Sequence, residues 1–244
     1  MASHPFFLTL PSNASMEHFP DNTLTHYTVK LPKHVSLEGD WEVALMEIHY
    51  PFSWFNVMPR RNLMVFTDER GRKVIKIPDG YYSDFEDLNN AFKRQGLPSG
   101  VQLNHDKLSK KVTLDIREGG RLYLFSGLAE MLGFHPNAIL TQSQEAPNPT
   151  HLQNIPSLYV YCDLLEGQMV GDIHAPLLRV VNVNGTHGEM INHTFHTPYF
   201  LPLRHREFET VEIYIRDDMG QKVPFQGGKV IVTLAFRKRR PTLL

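Results

Sequence analysis

The sequence is poor in the features that usually settle a function. Its 244 residues include one cysteine, Cys162, so an internal disulfide is excluded and folding rests on packing. A lone thiol points to synthesis in a reducing compartment. Charge of one sign is also missing, since 25 Lys and Arg stand against 26 Asp and Glu. That balance excludes a uniformly basic nucleic-acid coat and an acidic disordered tail. No run approaches the ~20 apolar residues of a spanning helix. The run Phe6-Phe7-Leu8-Thr9-Leu10 is too short for a secretory signal and has no basic flank. The expectation is a chain without leader or membrane association. Internal repeats and low-complexity tracts are absent too.

What is present is a globular mix, 41% hydrophobic and 21% charged. A chain of 28.1 kDa can bury about three quarters of its unfolded surface, enough for a core without staples. Most of it reads as short strands. Phe6 to Leu10 is closed by Pro11, and Tyr27, Val29 and Leu31 alternate up to Pro32. Trp41 to Tyr50 is apolar on both faces, which predicts a central strand. Leu63 to Phe66 and Lys73 to Ile77 read as a hairpin around Asp68-Glu69-Arg70-Gly71.

The middle changes character. Ser83-Asp84-Phe85-Glu86 has the spacing of a capping box, with Phe85, Leu88 and Phe92 on one helical face after it. Val112, Leu114 and Ile116 alternate, Gly119-Gly120 turns the chain into Leu122 to Phe125, and Ser126 is placed to cap a short second helix ending at Gly133. Strands return with Leu158, Val160 and Cys162, with Val211, Ile213 and Ile215, and with Val230, Val232, Leu234 and Phe236. The expected fold is mainly β, a single jelly-roll β-sandwich with a small α+β insertion. The boundaries read as 1–78 for its N-terminal part, 79–135 for the insertion and 136–244 for its C-terminal part.

Catalytic signatures are weak. His187, His193, His196 and His205 lie close in sequence, and imidazoles on a jelly roll suggest a cupin-like metal site. His205-Arg206-Glu207 matches the first half of a facial triad, but no His follows His205. Cys162 falls inside an alternating strand, as a small buried hydrophobe would. No G-x-S-x-G elbow or phosphate loop occurs. The expectation is no enzyme, with no catalytic, cofactor or metal residue assigned. Two features remain. Tyr50, Phe52, Trp54 and Phe55 form an aromatic cluster suited to a subunit interface. Arg237, Lys238, Arg239 and Arg240 form a basic run suited to phosphate contacts.

Several stretches are together similar to a known family. They are Leu8-Thr9-Leu10-Pro11-Ser12-Asn13, Phe19-Pro20-Asp21-Asn22-Thr23, Leu37-Glu38-Gly39-Asp40-Trp41-Glu42-Val43-Ala44-Leu45, Gly80-Tyr81-Tyr82 and Leu132-Gly133-Phe134. Val160-Tyr161-Cys162-Asp163, Val170-Gly171-Asp172, Ala175-Pro176-Leu177-Leu178-Arg179, Val223-Pro224-Phe225 and Gly227-Gly228-Lys229-Val230 continue the series. In this order and spacing the chain resembles the minor capsid (penton) proteins of Polinton/Maverick virus-like DNA transposons. The resemblance implies a structural virion protein, a homopentamer at the five-fold vertices of an icosahedral capsid. Its implied partners are its own copies, a double-jelly-roll major capsid protein and packaged DNA through the basic tail. It implies synthesis in the host cytoplasm, assembly in the nucleus as one route, and no cofactor. The competing expectations are a carbohydrate- or protein-binding β-sandwich of spike or lectin type, with Trp54, Tyr81 or Tyr82 stacking on a sugar, and the cupin-like oxygenase.

Overall fold

The computed structural model describes residues 4–239. The chain opens with β1 (Phe6–Pro11), β2 (His26–Ser36) and β3 (Trp41–Pro51). There follow β4 (Leu63–Asp68), β5 (Gly71–Lys76), α1 (Phe85–Arg94), β6 (Val101–His105), β7 (Val112–Ile116), β8 (Arg121–Leu124), α2 (Ser126–Met131), β9 (Ile139–Leu140) and β10 (Gln144–Glu145). The last stretch holds β11 (Ser157–Cys162), β12 (Gln168–Val170), β13 (Ile173–Ala175), β14 (Leu177–Asn182), β15 (Met190–Thr194), β16 (Leu201–Pro202), β17 (Glu207–Arg216) and β18 (Ile231–Lys238). Two compact units result, one formed by residues up to Trp54 and from Ile155 onward, the other by Phe55–Asn154.

The first unit is a jelly roll. Its first sheet has the order β1-β18-β3-β15, with β16 on the same edge of β3 as β15. Its second sheet has the order β14-β11-β17-β2. Within this unit the first strand pairs with the last, the second with the next to last, and so inward, all antiparallel. Such a ribbon, rolled once, gives two facing sheets. Alternation builds the core between them: Val211, Ile213 and Ile215 of β17 and Leu158, Val160 and Cys162 of β11 are fully buried. The Phe208 and Phe236 rings stack at 5.9 Å, joining β17 to β18. The buried Tyr27 hydroxyl donates to the Leu10 carbonyl at 3.1 Å, joining β2 to β1.

Two strand irregularities have local causes. β3 does lie inside its sheet, but its two apolar faces come from a bulge. Thr233 faces Glu47 and Leu234 faces Leu45, so Met46 is an extra residue on β3. The inward set therefore switches from Trp41, Val43 and Leu45 to Ile48 and Tyr50. β2 continues past Pro32, which lacks an N–H for a ladder bond. The register with β17 jumps from Lys30 to Val35, and Pro32 falls in that gap. Between β2 and β3, Gly39 takes φ +83°, and the Trp41 indole N–H donates to the Glu38 carbonyl at 3.0 Å.

The second unit is wider than the 79–135 expected for the insertion. The hairpin β4–β5 belongs to it, because β4 pairs with β8, Met64 opposite Leu124 and Phe66 opposite Leu122. The sheet order is β5-β4-β8-β9, beside a smaller sheet β10-β7-β6. Leu88 and Phe92 of α1 and Leu128 of α2 pack with Met64, Leu114 and Leu122 in one core. The capping box is displaced by one residue. Asp84 is the N-cap and accepts from the Asp87 N–H at 2.9 Å, while the Ser83 hydroxyl donates to the Asp87 carboxylate. The α2 N-cap is Phe125, without a side-chain bond, so Ser126 does not cap it. Gly133 ends that turn at φ +87°, where a Cβ would lie 2.0 Å from the Asn148 carbonyl oxygen.

Candidate functional site

The aromatic cluster expected at a subunit interface is placed in the core instead. Tyr50 and Trp54 are fully buried and Phe52 nearly so. The Trp54 ring meets Tyr50 at 6.4 Å, Phe52 at 4.5 Å and Phe225 at 5.5 Å. Burial pushes the Tyr50 hydroxyl up to about 12. These three side chains leave no surface for a neighbour. Phe55 is half-buried in the second unit, where the Asn154 side-chain amide donates to its carbonyl at 3.0 Å. The same burial removes Trp54 as a sugar platform. Tyr82 is held by its hydroxyl, which donates to the Pro78 carbonyl at 2.8 Å.

The basic run divides. Arg237 is bound to its own sheet: its guanidinium pairs with Glu42 on β3 and lies 3.6 Å over the Phe200 ring. Lys238 and Arg239 are exposed, and Arg240 lies outside the described residues. The Arg239 N–H donates to the Asp40 carbonyl at 2.8 Å. Arg204, Arg206 and Arg239 gather with Asp40 and Glu166 around a polar cavity of about 230 Å³. Arg206 pairs with Asp40 at 2.7 Å, both well exposed. Sequence reading missed Arg204 and Arg206, which are brought to Arg239 by the pairing of β16 with the start of β3.

The histidines disperse. His187 packs edge-on against Phe52, and the His193 ring lies tilted against Phe195 at 4.5 Å. Among the described residues, no group of three or more His, Cys, Asp or Glu side chains is placed to hold a metal ion. Burial pushes the Cys162 thiol up, and it lies fully inside the second sheet. That environment disfavours a thiolate nucleophile. Beside it, burial raises the Asp163 carboxyl, and the nearby Glu212 charge adds to this. The Glu212 backbone N–H, donating to Asp163 at 2.9 Å, acts in the opposite direction. Glu212 also pairs with His26.

The best surface candidate in the first unit was not read from the sequence. The hairpin β12–β13 turns at Gly171-Asp172 and carries Met169, 90% exposed, and Ile173, 55% exposed. With Val180 of the edge strand β14 and Tyr199 it borders a groove of about 380 Å³. The available signal was a pair of apolar residues flanking a turn, with no alternation leading inward.

No protein-family model matches the chain, and no curated protein sequence matches it. Solved structures do. Over 97% of this chain and 100% of the other, the fold is similar to the mavirus penton protein, at a TM-score of 0.52 and 11% identity. A chain of the Sputnik virophage, solved by cryo-EM, aligns over 97% of this chain and 98% of its own, at a TM-score of 0.47 and 12% identity. The chain therefore has, over 97% of its length, the fold of a viral penton protein, with the jelly roll in its first unit.

Proposed function

We propose that the chain is a minor capsid (penton) subunit, a homopentamer at the five-fold vertices of an icosahedral shell. Its role is structural, not catalytic. The observation that carries this reading is the rolled two-sheet topology of the first unit, together with a fold similar to the mavirus penton protein over 97% of the chain. A ring is built from heterologous contacts, in which two unlike flanks of each subunit meet. The jelly roll offers two such flanks. One is β1 with β2, where Phe7 is 63% exposed and Lys30 and Lys33 are exposed. The other is β14 with β15, where Arg179 lies 4.3 Å over the Phe195 ring. This second flank carries Met169, Ile173, Val180 and Tyr199, and these replace the buried aromatics as the proposed ring contact.

A double-jelly-roll major capsid protein is the proposed shell partner, in a virion made in the host cytoplasm and assembled there or in the nucleus. Lys238, Arg239 and Arg240, with Arg204 beside Arg239, are the proposed contact to packaged DNA through its phosphates. Light scattering and particle imaging of the purified chain, with and without the major capsid protein, test the proposal. A five-fold ring, or incorporation at shell vertices, supports it. A chain that stays monomeric and joins no shell overturns it.

A further inference from the structure

The sheet β5-β4-β8-β9 of the second unit has one face in the core, through Met64, Phe66, Ile75, Leu122, Leu124 and Leu140. Because side chains alternate, the opposite face is fixed by the same register. It forms three rows across the strands. Arg72, Thr67 and Arg121 make the first row, and Val74, Val65, Tyr123 and Ile139 the second. Lys76 and Leu63 begin the third, which Phe125 completes through its N–H to the Leu63 carbonyl at 3.2 Å.

Val74, Ile139 and Phe125 are 55%, 59% and 39% exposed, while Val65 between them is 5% exposed. Val65 is thus the floor of a groove of about 280 Å³, walled by Thr67, Arg72, Tyr123 and Phe125. Every charged side chain in the three rows is a cation. Among the described residues, none of Arg72, Arg121 and Lys76 is in an ion pair. The acids at the β4–β5 turn are engaged elsewhere, Asp68 and Glu69 by Arg117 at 2.7 and 3.9 Å.

We propose that this face docks an extended acidic segment of a partner protein, with the pattern acidic–x–apolar–x–acidic. The spacing supports it. Successive rows are two residues apart along the strands, about 6.8 Å, and an extended peptide places its own alternate side chains at the same interval. One apolar side chain enters the groove over Val65, and the acids two residues before and after it meet the Arg72–Arg121 row and Lys76. A lipid bilayer has no protruding side chain for a concave seat. A nucleic-acid backbone meets the cations but leaves Val65, Val74 and Ile139 without apolar cover. The surface lies wholly on the second unit and does not depend on ring formation.

Fluorescence anisotropy on the full chain tests this with a labelled peptide containing Glu-Thr-Phe-Thr-Glu. Controls are the same peptide with Lys for both Glu and one with Ser for Phe. Phosphatidylcholine–phosphatidylserine vesicles and a DNA duplex form the other arms. Either control peptide is expected to bind at least about tenfold more weakly than the parent peptide. The same weakening is expected for the parent peptide with Val74→Asp, and separately with Arg72→Glu combined with Arg121→Glu. The double charge variant is all-surface and keeps the test open if Val74→Asp unfolds. Equal binding of the Lys peptide, an unchanged affinity in the double variant, or binding only to vesicles or DNA would each overturn the proposal.

Discussion

The Arg237 guanidinium lies over the Phe200 ring, 3.6 Å from its centroid, while the same side chain pairs with Glu42 across the β18–β3 ladder. A cation committed twice to its own fold is not free for phosphate. Arg237→Gln is expected to cost about 1 kcal/mol of stability, the scale of one cation–π contact with a partly exposed ion pair. It should leave the salt dependence of DNA binding unchanged. Neutralising Lys238, Arg239 and Arg240 should do the reverse, lowering the salt slope by up to ~0.9 for each phosphate that is no longer neutralised, without shifting the melting temperature. Filter binding across a salt series, beside thermal melts of both variants, separates the two. A slope that falls with Arg237→Gln would return that residue to the DNA-binding set.

Trp54 provides a second test. Its ring is enclosed by Tyr50, Phe52 and Phe225 and has no exposed surface. Trp54→Ala removes a large core side chain and should cost about 3–5 kcal/mol. The destabilisation should appear at protein concentrations too low for any ring to form, because it belongs to a single chain. Denaturant melts over a dilution series measure this. If Trp54→Ala melted like the parent at high dilution and differed only when concentrated, Trp54 would be an interface residue after all.

These two cases show what the sequence could reveal. Val211, Ile213 and Ile215 announced a strand because one face is buried and the other wet. Phe52 to Phe55 gave no such signal, since the chain leaves the β3 ladder after Pro51 and buries Phe52 and Trp54 from a loop. An aromatic loop looks the same in sequence whether it covers its own core or a neighbour's. β15, Met190-Ile191-Asn192-His193-Thr194, is an edge strand with no side chain fully buried, and its sequence carries no strand pattern. Its side chains are exposed or half-buried in turn, so no buried face imposes apolar alternation. The site surfaces were the least legible. The cationic cluster joins Arg204 to Arg239, and the apolar row joins Val74 to Ile139, only through strand register.

Asp163 makes a pH prediction. Burial raises its carboxyl above the ordinary value of 3.8. The folded chain therefore holds that proton more tightly than the unfolded chain does. Asp163 favours folding most at pH below its unfolded value, and this contribution is lost as pH rises through the folded value. Asp163→Asn keeps an oxygen to accept from the Glu212 N–H but cannot ionise. The variant should melt higher than the parent at neutral pH, and the gap should close as pH falls toward 3.8. Melting temperatures of both proteins across the acid range decide it. A gap that is constant with pH would mean that Asp163 does not titrate differently on folding.

The ring interface can be separated from stability because its key side chains are already outside. Met169 is 90% exposed and Tyr199 63% exposed. Surface changes of this kind usually move stability by no more than about 0.5 kcal/mol. Burying a methionine side chain in an interface contributes about 1.5–3 kcal/mol, so each junction of a ring would weaken roughly tenfold or more in affinity with Met169→Asp. The expected result is a chain with the parent's melting temperature as a monomer, which sediments as a monomer at concentrations where the parent forms rings. Val180→Asp, on the adjoining edge strand, should act in the same direction and more than additively with Met169→Asp if both meet one pocket of the neighbour. Sedimentation velocity over a concentration series measures both. Rings of undiminished stability in the double variant would move the interface from the β14 flank to other loops of the jelly roll.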